Sequence, residues 1–451
     1  MPLPAQSEAH APQPPQVYAP VVTNDPTPQA GWIDTNQGSL GAWSFDDAVT
    51  ATLTSDPRLC IGRTEIAQAK ADYCTSSLLP NPVFETSISA LPSHHRAMVG
   101  RPPEFVAQVE YPFDWFLFAK RAAEMNSSRL GIAQSQAEYA DLIRQRVTET
   151  AIAFYDVLEA GSLSAIARED MEVLSKMEAV IRRGVEMGAR AQIELDRVRL
   201  DLSKSRQELL EAESCLAIAK SRLWSRLGRT DRDPAFDVWG NLDAPLTVEP
   251  FPLAEAFALA QRNRPDLRAR QIQVNKAKAD TVVEKRKAYP EVSASVGYIN
   301  QYPGQGMANP DYATSGWQVG LTATVPLFDR NQGNRAKAQA ALAQKTHEYR
   351  AGMIDLRADV EEADQLFRTA YQKAATIAQE EISLANKVRN SIMDSYQRGG
   401  RSLIDVLDAE RSYRETCRFY VSSRADYWRA MYLYNSVVGV DSGCNIRSAA
   451  Y

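Results

Sequence analysis

Cysteine is scarce in this chain, five residues in 451, at Cys60, Cys74, Cys215, Cys417 and Cys444. They form neither CxxC pairs nor metal-ligand spacings, so neither a disulfide scaffold nor a zinc module is expected. Cys60 and Cys74 fall in one predicted helix, about 21 Å apart at about 1.5 Å per residue, and cannot pair within it. Histidine is scarcer still: His94 and His95 stand together in a predicted loop, His10 and His347 stand alone, and no metal site is expected. An excess of positive charge is missing too. The formal charge of -5 and a pI near 5.7 give no broad electrostatic reason to bind nucleic acid. No window approaches about 20 uninterrupted apolar residues, so no transmembrane helix is expected and a membrane role would fall to strands. Walker A loop, dinucleotide fingerprint, nucleophile elbow and HExxH are all absent, and with them any sign of an enzyme or a cofactor. The first residues, MPLPAQSEAHAPQPPQ, lack the charged start and apolar run of a secretory signal. Residues 1–42, rich in Pro, Gln, Ala and Thr, are expected to form an extended or disordered leader.

What is present is a repeat. Phe45-Asp46-Asp47-Ala48-Val49 through Asp56-Pro57-Arg58-Leu59 returns as Leu253-Ala254-Glu255-Ala256-Phe257 through Arg264-Pro265-Asp266-Leu267, at an offset of 208. Each copy leads into a helix and then a proline-led alternation of polar and apolar residues, predicting strands at 82–90 and 105–112 in the first half and at 291–300 and 316–325 in the second. Val292, Ala294, Val296 and Tyr298 share one face, and Ser293, Ser295 and Gly297 the other. That is the apolar-out, polar-in code of a membrane barrel strand, and equally that of a half-buried soluble hairpin; alternation alone leaves both open.

After the strands come very long helical patterns. Tyr349, Met353, Leu356, Val360, Ala363, Phe367, Ala370, Ala374 and Ile377 keep heptad spacing, as do Leu130, Ala133, Ala137, Ala140, Val147, Ala151, Phe154 and Leu158. Helices of about 65 residues would be about 100 Å long, which predicts an elongated coiled-coil body. Each half then closes on a glycine turn and a further helix: Gly188 to Glu194 matches Gly399 to Asp405 at an offset of 211. The expected organisation is thus a leader, a first repeat over 43–240, a Pro-rich linker over 241–252, a second repeat over 253–440 and a tail over 441–451.

The second turn reads Tyr396-Gln397-Arg398-Gly399-Gly400-Arg401-Ser402-Leu403-Ile404-Asp405-Val406-Leu407-Asp408. Its glycines can end one helix, Ser402 can cap the next, and Asp405 and Asp408 project from one helix face. By composition alone these carboxylates are solvated helix surface. The wording, together with Pro326-Leu327-Phe328-Asp329 at a helix start, closely resembles the TolC family of outer-membrane channels, and the resemblance runs from residue 43 to about 440. It implies a mainly α fold with a membrane β-barrel, in which four strands per chain join a shared twelve-stranded barrel and long antiparallel coiled-coil helices form an α-barrel. It also implies a homotrimer in outer-membrane lipid that works with a periplasmic adaptor and an inner-membrane transporter and conducts substrates passively outward. Tyr396, Arg401, Asp405, Asp408 and, through the repeat, Glu194 would then sit at the periplasmic aperture, with Arg401 or a hydrogen bond from Tyr396 holding the acids in the closed state. Asp329-Arg330-Asn331-Gln332-Gly333 resembles the cation-efflux subgroup; it is also an ordinary helix start. A type I protein-secretion channel and a structural coiled-coil envelope protein are the alternatives.

Overall fold

The computed structural model describes residues 42–89, 104–230, 236–246, 249–301, 314–376 and 379–440. The expected leader, the two loops beyond the strand tips and the C-terminal tail lie outside the described residues, apart from a few at their margins. A similar succession of elements occurs twice. Helices α1 (Phe45–Ser55) and α2 (Pro57–Ser77) lead to strands β1 (Val83–Ser89) and β2 (Glu104–Pro112), the short α3 (Asp114–Leu117), then α4 (Lys120–Glu186) and α5 (Gln192–Arg226). Then α6 (Leu253–Asn263) and α7 (Pro265–Lys287) lead to β3 (Glu291–Gln301) and β4 (Thr314–Thr324), and on to α8 (Gln332–Thr376), α9 (Gln379–Gln397) and α10 (Leu403–Val438). Helices α8 and α9 of the second half stand where α4 stands in the first, and among the described residues the short α3 has no counterpart. Strand β4 spans Thr314–Thr324 where 316–325 is expected, so Ser315 belongs to the sheet and Val325 does not.

Proline sets both early breaks. Asp56 and Arg264 precede Pro57 and Pro265, which disfavour helical ψ in the residue before them, and ψ is 116° at Asp56 and 122° at Arg264. An ion pair holds each bend, with the signs exchanged: Arg146 Nε meets Asp56 Oδ2 at 2.7 Å, and Arg264 Nη1 meets Asp359 Oδ2 at 2.9 Å.

The chain divides into two compact units. The first holds residues 142–264 and 356–440 with the start of the described chain. Its main core gathers Phe154, Leu158, Leu223, Leu227, Tyr420, Val421 and Ala425 from α4, α5 and α10. Elsewhere in this unit the heptad residues Leu356, Val360, Ala363, Phe367, Ala370 and Ala374 are buried, as their spacing predicts; of the rest of that seam, Tyr349 and Met353 are half-buried and Ile377 lies outside the described residues. One stretch of α4 is apolar enough by composition to cross a membrane, but most of it is buried in the fold. Helices α4 and α5, and likewise α9 and α10, form hairpins. At the offset of 211 that carries Gly188 to Gly399, Glu178 corresponds to Arg389 and Arg199 to Glu410. Both couples are ion pairs across their hairpin, again of exchanged sign: Arg199 Nε to Glu178 Oε1 at 3.2 Å, and Arg389 Nη1 to Glu410 Oε1 at 3.5 Å.

The second unit holds residues 60–141 and 265–355, including a four-stranded antiparallel sheet in the order β1-β2-β3-β4. Residues paired across antiparallel strands share a face, so the register sorts every strand side chain. Phe84, Val109, Val296 and Val319 lie on one face, as do Tyr298 and Trp317; Glu85, Gln108, Gly297 and Gln318 lie on the other. All four strand carboxylates, Glu85, Glu104, Glu110 and Glu291, fall on that second face, and none of the four strands contains Lys, Arg or His. Gly297 is what lets this face connect laterally. A Cβ there would come within 2.8 Å of Gln108 Cβ. Across the glycine, Gln318 Nε2 donates to Gln108 Oε1 at 3.0 Å, and Gln108 Nε2 donates to Glu85 Oε2 at 2.8 Å.

Asp329 to Gly333 acts as a helix start. Asn331 takes a left-handed φ of 57°, its backbone N–H donates to Asp329 Oδ1 at 2.9 Å, and its side-chain amide donates to the Glu284 carbonyl at 2.9 Å. Cys60, Cys74, Cys215 and Cys417 are free thiols, while Cys444 lies outside the described residues.

A candidate aperture at the paired helix turns

Both turns use glycine for the same reason. Gly188 and Gly399 have φ of 72° and 79°, a region costly for any residue with a Cβ. In the second turn Gly400 N–H donates to Ser395 O at 2.8 Å and Gly399 N–H to Tyr396 O at 2.9 Å; in the first, Ala189 N–H donates to Gly184 O at 2.8 Å and Gly188 N–H to Val185 O at 2.9 Å. These bonds satisfy the last carbonyls of α9 and α4 and reverse the chain.

The helices beyond the two turns begin differently. Ser402 caps α10 in a reciprocal box: Asp405 N–H donates to Ser402 Oγ, while Ser402 N–H and Oγ donate to Asp405 Oδ2 at 3.0 Å and 2.9 Å. These bonds favour the ionised carboxyl and hold the Asp405 pKa below its ordinary value, the backbone bond from Ser402 being the larger cause. In the first turn Ala191 occupies the cap position and offers no side-chain bond. Glu194, the counterpart of Asp405, pairs instead with Arg190 at 3.5 Å.

Tyr396 faces that pair. Its ring is buried in an apolar cluster with Ile181, Leu195, Val198, Leu403 and Val406, which packs the two turns together. The Arg190 guanidinium carbon lies 4.5 Å from the ring centroid, a cation–π distance. The Tyr396 hydroxyl is buried without a well-formed hydrogen bond among the described residues, and burial pushes its pKa up. The sequence suggests Arg401 as the basic group of this site. In the structure Arg401 is exposed, and it is Arg190, its counterpart at the offset of 211, that covers Tyr396. Repeat alignment pairs Arg190 with Arg401 and could have flagged it; Arg401 for its part helps, behind the Ser402 bonds, to hold the Asp405 pKa down, and the two turns differ in their caps. Ser402 ties up Asp405, whereas capless Glu194 is free to fix Arg190. Asp408 projects outward with its side chain 65% exposed, 3.8 Å from Arg411.

The turns therefore bring Arg190, Glu194 and Tyr396 into one contact set, with Asp405 committed to its cap and Asp408 facing solvent. Among the described residues no group of three His, Cys, Asp or Glu is placed to hold a metal ion.

Residues 257–429 match the family described as "Outer membrane efflux protein". The matched stretch is an outer membrane efflux family domain, of a family of transport channels rather than enzymes, and the fold of long helices and one antiparallel sheet is that of solved outer-membrane channels. More particularly, the chain is similar to the cobalt-zinc-cadmium resistance protein CzcC of Cupriavidus metallidurans, 24% identical over 89% of this chain and 91% of the relative. Among solved structures it resembles CusC, with a TM-score of 0.73 and 17% identity over 92% of this chain and 95% of the other. The CmeC outer membrane channel of Campylobacter jejuni gives a TM-score of 0.73 and 16% identity over 95% of this chain and 98% of its own.

Proposed function

We propose that three copies of this chain pool their four-stranded sheets into one twelve-stranded outer-membrane barrel, and that the helices continue it into the periplasm as a tunnel. The channel would receive cargo from a periplasmic adaptor and an inner-membrane transporter. The observation that carries this reading is the sorting of the sheet. One face is uncharged and presents Trp317 and Val319 at 78% and 82% exposure, side chains suited to lipid; the other is polar and carries every strand carboxylate. The outer edges of β1 and β4 are unpaired in the sheet, and lipid does not tolerate a free strand edge, so closure by further copies resolves both.

The cargo class we propose is a divalent transition-metal cation. CzcC is a cobalt, zinc and cadmium resistance protein, and the acidic sheet face together with Glu194, Asp405 and Asp408 at the turns would favour cations along such a path. Threefold symmetry would turn each carboxylate into a ring. Mass measurement in detergent should return a trimer; a monodisperse monomer that retains its strands would refute the assembly. Replacing Asp405 and Asp408 with Ala should weaken block by multivalent cations in planar bilayers and lower cation preference. Unchanged selectivity in an intact channel would remove these residues from the aperture.

A further inference from the structure

Between the apolar cluster at the turns and the main core of the same unit lies a polar layer. Asp170 of α4, with its side chain 4% exposed, accepts from Arg414 of α10, whose side chain is 16% exposed. Ser205 of α5 donates to the same carboxylate oxygen at 2.5 Å. Arg389 of α9 meets Glu410 of α10 at 3.5 Å, but that pair is internal to the α9–α10 hairpin. Asp170–Arg414 is a tie between the two hairpins.

A buried ion pair that serves only to stabilise a fold needs close packing and complete hydrogen bonding to offset its desolvation. This one has neither. It is flanked by a cavity of about 20 Å³, lined by Ile166, Glu169, Arg389, Glu410, Tyr413 and Cys417 besides the pair itself, and by another of about 320 Å³ reaching Ser205 and Leu407. Asp170 Oδ1 and Arg414 Nε are both buried without a hydrogen-bond partner among the described residues. The pair also has an alternative arrangement at hand. Glu410, which already meets Arg389, precedes Arg414 by one helical turn, the favoured order for an i,i+4 ion pair, so a released Arg414 has a carboxylate to share on its own helix. The larger cavity could hydrate a released Asp170.

We infer that Asp170–Arg414, steadied by Ser205, is a catch that holds hairpin α9–α10 against α4–α5 while the narrow end is shut, and that it lets go when the channel opens. The inference rests on the channel reading proposed above. Its residues are positioning residues; none faces the cargo at the turns.

The test uses the purified full-length protein in planar bilayers. Asp170→Asn combined with Arg414→Gln removes both charges and keeps their approximate shapes. It should raise the open-to-closed ratio about tenfold, equivalent to about 1.4 kcal/mol of lost closed-state preference, with a helical content and melting midpoint near the parent's. Glu178→Gln combined with Arg199→Gln removes the pair inside the first hairpin and should leave the ratio unchanged. If the first variant does not fold, Ser205→Ala loses one bond to Asp170 while keeping the ion pair, and should give a smaller rise. A folded Asp170/Arg414 variant that opens no more often than the parent overturns the catch, as does an equal rise in the Glu178/Arg199 variant. A folded Ser205→Ala channel with no rise overturns it too. A parent chain that conducts nothing overturns the duct reading, and the catch with it.

Discussion

At the scale of residues, the contact of Arg190 with Tyr396 and Glu194 makes an uneven demand on two arginines that repeat alignment treats as equivalent. Arg190→Ala removes the cover of a buried ring and should raise bilayer conductance more than Arg401→Ala, whose side chain is exposed; a larger effect from Arg401 would reverse the assignment. Glu410 invites a pH measurement. Burial pushes its pKa above the ordinary carboxylate value, more than Arg389 draws it down. The sign comes from linkage: the protonated form is favoured by folding, so its stabilising contribution is full below the unfolded pKa and is lost as pH rises through the raised folded one. Glu410→Gln mimics the protonated form. It should melt no lower than the parent at neutral pH, and any advantage should shrink as the pH falls and the parent's carboxyl takes up its proton.

Elements were the most legible scale, because their ends are written in local chemistry. The glycine turns at 188 and 399 and the Ser402-to-Asp405 spacing announce a reversal and a cap, and each appears where expected, while the prolines at 57 and 265 proved to mark breaks inside the repeated segment. Ser402→Ala should cost about 1 kcal/mol of stability by the loss of the cap. Glycines with the same backbone freedom should differ sharply in what they tolerate. Gly399 has φ of 79° in open space, so Gly399→Ala carries only the conformational cost of about 1–2 kcal/mol. Gly228 has φ of 70° and its missing Cβ would lie 2.6 Å from Ser55 O, so Gly228→Ala should lower the melting midpoint further. What could not be read from the sequence is which side chains of separate hairpins meet. Asp170 and Arg414 are two among many charged residues on helical patterns, and neither spacing nor composition sets them apart until packing has buried both.

For the molecule as a whole, the alternation in the strands was legible but left barrel and soluble hairpin alike possible, and the pairing register, which places every strand charge on one face, fits both. That sorting can be checked through insertion. Val319→Arg, on the apolar face, should cost about 2–4 kcal/mol of membrane stability near the midplane, whereas Thr322→Arg, on the acidic face, should be tolerated and change ion selectivity instead. Equal effects would deny that the two faces meet different media. The exchanged signs of Glu178–Arg199 and Arg389–Glu410 bear on a different problem, that of recognising kin. A chain whose halves echo one another offers each long helix a near-copy of its rightful neighbour. Were α9 to pair with α5, Arg389 would confront Arg199; were α4 to take α10, Glu178 would confront Glu410. Each wrong marriage sets like charges face to face, so the duplicated sequence carries within it the means of telling its own halves apart.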